Sequence, residues 1–225
     1  GCDLIPTAGD PRPDDGIETD IFEAGMAEKP TVTVGPGFYR FPIRSEWLKP
    51  GSRMYSPADE AGYVYVAASE EPVYVASVGH VMYATFEEAV EAAKAMAEAD
   101  GEGTVFLVGD TTGSGADIAD RAIRIDLDGK RLTLTGTLAV SGADGLLTVV
   151  DSSPTREGSV FTSGPFTAAD GAAIRLTTGT YNFDPSEFLS SSDYTVVHDE
   201  VAGTWSIVCG QATFAGVTVT RYENG

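Results

Sequence analysis

The chain is poor in the residues that mark the commoner catalytic and nucleic-acid-binding classes. Of its 225 residues two are histidine, two are cysteine and 14 are Lys or Arg, against 34 Asp and Glu, for a net charge of −20. Two cysteines, Cys2 and Cys209, make neither a disulfide framework nor a metal site. They could pair, Cys2 could carry a lipid, or each could be free, and spacing does not choose among these. With cations this scarce, no basic stripe exists to replace counterions on phosphate, so nucleic acid is a poor partner. An anionic membrane surface would repel the chain as well. No apolar run approaches the ~20 residues that span a bilayer. The sequence starts at Gly1 rather than Met, as a removed leader, a protease cut or a tag would each leave it. The lack of a visible signal therefore does not point to the cytoplasm.

What is present suits a turn-rich β protein. Glycine is abundant at 26 residues, and hydrophobic residues make up 42%. Residues 1–30 are polar, acidic and broken by Pro6, Pro11, Pro13 and Pro30, which predicts an extended arm. Residues 31–77 read as a small β module, with "TVTV", "FYRFPI", "YVYVAA" and "PVYVASV" as strands. Four of the cations fall here, Arg40, Arg44, Lys49 and Arg53, among Phe38, Tyr39, Phe41, Trp47 and Tyr55. Arg40, Arg44, Trp47 and Arg53 are the candidate interaction surface; balancing the acidic arm or a neighbouring subunit is the plainer use of those charges.

Residues 78–225 form the second predicted domain. One helix stands out, over 85–100. Thr85 and Glu88 have capping-box spacing, Phe86, Ala89, Val90, Ala93, Met96 and Ala97 share a face, and Gly101 ends it. After Thr104 every segment is a strand of four to eight residues with Gly, Asp or Ser between neighbours.

"IRIDLDGKRLTLTG", from Ile123 to Gly136, decides the architecture. As a hairpin about Asp128-Gly129 it would set Ile125 against Leu132 and Asp126 against Arg131. As one corner of a parallel coil it would stack on its neighbours, with turns at 118–136, 137–163 and 164–181. The inward residues would then be Ile123, Ile125 and Leu127, then Leu146, Thr148 and Val150, then Ala172, Ile174 and Leu176. The spacing of the later strands favours the coil.

Six pieces in order, "YATFEEAVEAA", "TVFLVGD", "IRIDLDGKRLTLTG", "LLTVVDS", "IRLTTGTYNFDPSEFL" and "GTWSIV", carry a resemblance. The stretch from about residue 78 to 209 resembles a pectin-lyase-like β-helix unit of secreted surface proteins of gut bacteria and their phages. The resemblance implies a mainly β fold: a short right-handed parallel β-helix with one capping helix, preceded by the small β module and the arm.

Catalytic constellations are thin. Lyases on such a fold use a carboxylate-held Ca²⁺ and a basic residue. The candidates are Asp126, Asp128 and Asp151 with Arg124 or Arg175, but Asp126 and Arg131 also read as an exposed ion pair on the strand faces. His80 and His198 have no ligand-spaced neighbours. "GSG" at 113–115 lacks the Lys of a phosphate loop, and "DPSEF" at 184–188 is a structural turn. No residue is assigned as catalytic, cofactor-binding or metal-binding. The expectation is a non-enzymatic extracellular structural or adhesive module on a bacterial surface. The alternatives are a phage virion protein, decorating the capsid or forming a fibre, and then a polysaccharide lyase or glycoside hydrolase. Expected partners are other protein subunits or a surface lattice, glycans, and copies of itself, with a trimer suited to a fibre. The expected location is extracellular, at a cell surface or on a virion.

Overall fold

A computed structural model describes residues 33–40, 43–56, 64–209, 212–214 and 217–219. The predicted arm and Cys2 lie outside the described residues. Two compact units divide the chain, Gly1–Pro72 and Val73–Gly225.

In the first unit three short strands form an antiparallel sheet. They are β1 (Gly37–Tyr39), β2 (Arg53–Tyr55) and β3 (Val64–Ala67), with β3 in the middle. Val34, Ile43 and Val66 form the core, and Tyr39, Trp47 and Leu48 pack against it. The predicted "PVYVASV" strand is shorter than expected. Only Ala76–Val78 is extended, and it joins the sheet of the second unit.

The second unit is a parallel β-solenoid of about three turns. It opens with β4 (Ala76–Val78), β5 (Val81–Tyr83) and helix α1 (Phe86–Asp100). The first turn runs through β6 (Glu102–Leu107), β7 (Thr111–Gly113) and β8 (Ala116–Ala119). The second has β9 (Ala122–Asp126), β10 (Arg131–Leu134) and β11 (Leu138–Ser141). The third has β12 (Leu146–Val150), β13 (Ser159–Thr162) and β14 (Phe166–Ala168). A fourth begins with β15 (Ala173–Leu176) and β16 (Gly179–Tyr181). The hairpin β17 (Tyr194–Asp199) and β18 (Thr204–Cys209) is followed by β19 (Ala212–Phe214) and β20 (Val217–Val219).

The Ile123–Gly136 stretch is a corner, not a hairpin. β9 pairs in parallel with β6 and β12, whereas β10 pairs in parallel with β7 and β13 in a different sheet. Asp128, with φ 42°, and Gly129, with φ 75°, make the bend between them. Inward residues stack in columns. Val105, Ile125, Val149 and Leu176 form one, and none is more than 1% exposed. Burying each such side chain contributes roughly 1.5–3 kcal/mol before the entropy of ordering.

The predicted turns 118–136, 137–163 and 164–181 match the passes β8 to β10, β11 to β13 and β14 to β16 to within two residues at their starts, with Leu138 beside Ala116 and Phe166. One expectation about the inward residues is corrected. In the third turn Leu147 and Val149 point inward, while Leu146 and Thr148 lie on the outer face. "LLTVV" offers apolar residues at both parities, so the neighbouring column of Ile123 and Ile125 decides which set goes in.

Both ends of the coil are closed. At the first turn α1 lies so near that a Cβ on Gly103 would sit 1.9 Å from the Ala93 carbonyl oxygen. The helix has the predicted caps: the Thr85 hydroxyl accepts the Glu88 N–H, and Gly101 has φ 88°. At the last turn Phe166, Tyr181, Phe183 and Phe188 make an aromatic plug with ring centroids 5.1–6.5 Å apart.

Candidate functional site

The three aspartates singled out in the sequence do meet, at the corner between the first sheet of the solenoid, which holds β6, β9, β12 and β15, and the second, which holds β7, β10, β13 and β16. Asp126 ends β9, Asp128 is in the bend after it, and Asp151 follows β12 one turn on. Their chemistry differs from the expectation. Asp126 is not exposed beside Arg131. It is 1% exposed, its Oδ1 accepts the N–H groups of Asp128 at 3.2 Å and Ser152 at 3.0 Å, and its Oδ2 lies 3.6 Å from the Arg124 guanidinium. It has the outward parity predicted for it, but Arg124 and the backbone of the next turn's corner close over it.

Asp151 is held more completely. Its Oδ1 accepts Gly129 N–H at 2.8 Å and Ser153 N–H at 3.1 Å, and its Oδ2 accepts Gly158 N–H at 2.6 Å. Thr178, one turn further, takes the Asp151 N–H on its hydroxyl at 2.7 Å and returns a bond to the Asp151 carbonyl at 3.2 Å. These carboxylates replace the strand partners that a bend denies its N–H groups. Asp128 is the looser member. Desolvation pushes its carboxyl above the usual range, Lys130 pulls it back, and Asp126 and Asp151 push it up further. Among the described residues no cluster of three or more His, Cys, Asp or Glu is arranged to hold a metal ion.

The basic residues are spread over different faces. Arg124 and Arg175 stand in one outward row, each beside Thr148. Arg131 is on the second sheet, where its guanidinium covers the Phe161 ring at 5.0 Å from the centroid. Thr133 lies next to Phe161 in register, and Thr112 next to Thr133. This open platform of an aromatic ring, a guanidinium and hydroxyls was not legible in the sequence, because Arg131 and Phe161 meet only when one turn stacks on the next.

In the first unit Arg40 and Arg44 are exposed. Arg44 lies over the Trp47 ring at 5.5 Å and 3.8 Å from the Glu46 carboxylate. Trp47 also packs on the core, and Arg53, half-buried, donates to the Glu71 carbonyl. Nearby, Pro36, Lys49, Pro50, Ser52 and Glu70 line a shallow pocket of about 170 Å³. His80 is an exposed turn residue, as expected. His198, expected just past a strand, sits within β17 and stacks on Trp205, with centroids 4.3 Å apart and planes at 15°. Cys209 ends β18, opposite Tyr194.

Comparison with protein-family models, curated proteins and solved structures gives no match. The corner can hold a bend rigid, and the second sheet can offer a flat polar and aromatic surface to something outside. No helix among the described residues is long and apolar enough to cross a membrane.

Proposed function

We propose that the chain is a non-enzymatic structural or adhesive module displayed outside the cell, its solenoid a β-helix of the pectin-lyase-like kind. One observation carries the reading. Asp126 and Asp151, the carboxylates best placed for acid–base or Ca²⁺ chemistry, are buried and engaged by backbone N–H groups of their own corners. Groups used this way reinforce a scaffold. The Arg131–Phe161 platform, with Thr133 and Thr112 beside it, then serves as contact surface for a glycan or a protein subunit.

Incubation with polygalacturonate and Ca²⁺ tests the reading. No rise in ultraviolet absorbance from unsaturated uronides is expected, and a rise that disappears in Asp126→Asn overturns the proposal. A second reading, a virion decoration or fibre protein, draws on the division into a small first unit and an elongating second one. Native mass spectrometry separates the two: a stable trimer favours the virion, a monomer the isolated module.

A further inference from the structure

Among the described residues β17 ends its sheet with an edge that no strand covers. It pairs with β18 along its whole length, and β18 pairs with β16, so β17 is the outermost of six strands. Among the described residues no strand lies on its other side. Other strands at sheet ends are short or guarded. β5, β7 and β14 have three residues each. β15 is covered by the Leu176–Leu189 bridge and by the Ser190 N–H on the Leu176 carbonyl. β17 has six residues and contains neither proline nor lysine, the usual protections of an edge. Val197, in its middle, is 52% exposed. Such an edge is a template for one more strand.

We propose that β17 takes up, as an added strand, an extended segment of another protein that carries Lys or Arg at both ends. The local charges choose this occupant. Asp193 precedes the strand, Asp199 ends it and Glu200 follows, all exposed. A second copy pairing antiparallel about the middle of β17 would set Tyr194 against Asp199 and Asp193 against Glu200, at both ends of the join. Like charges facing one another across strands are unfavourable, and the net charge of −20 adds to the repulsion between copies. A segment with cations at its ends meets the same residues with opposite charge. Main-chain bonds to the edge supply affinity, while side chains beside Thr195 and Val197 supply selectivity.

Two peptides test this on the full chain: acetyl-Lys-Thr-Val-Thr-Val-Thr-Lys-amide and its counterpart with Glu at both ends. In calorimetric titration the Lys peptide is expected to bind about fivefold or more tightly than the Glu peptide. Added salt narrows that difference, and the double variant Asp193→Lys, Glu200→Lys reverses it. Hydrogen exchange of the amides of residues 194–199 slows when the Lys peptide is bound. Equal binding of the two peptides, no binding of either, an unchanged preference in the double variant, or binding that leaves those amides unprotected overturns the proposal. A dimer of the free protein joined through β17 overturns the choice of occupant.

Discussion

Two aspartates of one corner predict opposite mutational outcomes. Asp151 accepts three backbone N–H bonds in a buried site. Asp151→Ala leaves those donors unpaired, and a loss of about 3 kcal/mol or more is expected in urea unfolding. Asp128 is only half-buried, and its φ of 42° suits Asn as well as Asp. Desolvation is the main cause of its raised pKa, so the folded state binds its proton more readily than the unfolded chain does. The ionised form is therefore the less stable one when folded, and stability is gained as pH falls through the raised folded pKa. Asp128→Asn is expected to raise the unfolding free energy measured in urea at pH 7, by less than about 0.5 kcal/mol given its exposure. The gain should fade as pH falls through the raised folded pKa and be gone below pH ~4, the range of an unperturbed Asp. A variant less stable than wild type at pH 7 would contradict this account of the corner.

Helix α1 is tied to the solenoid more by close approach than by its caps. Thr85→Ala removes the hydroxyl that accepts the Glu88 N–H, and a cost of about 1 kcal/mol is expected. Gly103→Ala places a methyl against the helix backbone at Ala93, where no side chain can yield. The helix would have to lift from β6 and expose its own buried Phe86, Ala89 and Val90, and a loss above ~3 kcal/mol is expected. Thermal melts of the two variants give the order; near-equal losses would show that α1 is not seated on the first turn as described. Glu87, at the start of the same helix, adds a smaller tie through the N–H and hydroxyl of Ser114.

For the whole molecule, each unit has its own core: Val34, Ile43 and Val66 in one, the stacked columns of the solenoid in the other. Residues 73–225 expressed alone are therefore expected to keep a cooperative melt and the β signature in circular dichroism. Loss of the transition in that piece would show that the solenoid depends on residues 1–72. Every turn of the coil contacts its neighbours in sequence, so unfolding should pass through few independent steps despite the number of strands.

Local rules were enough for the helix and for the strands of the coil. The helix face, Thr85 and Gly101 follow from 3.6-residue periodicity and cap chemistry, and the strands of the coil from alternation between Gly and Asp bends. Those signals lie within a few residues of one another, so a linear reading holds them all. The parity of "LLTVV", the burial of Asp126 and the meeting of Arg131 with Phe161 do not. Each depends on what the next turn places alongside, some 20 to 30 residues away. "IRIDLDGKRLTLTG" shows the boundary most plainly. Its own residues allow a hairpin or a corner, and pairing of β9 with β6 and β12, and of β10 with β7 and β13, makes it a corner. Stacking there buries both apolar sets in one continuous core, which a lone two-stranded ribbon could not do.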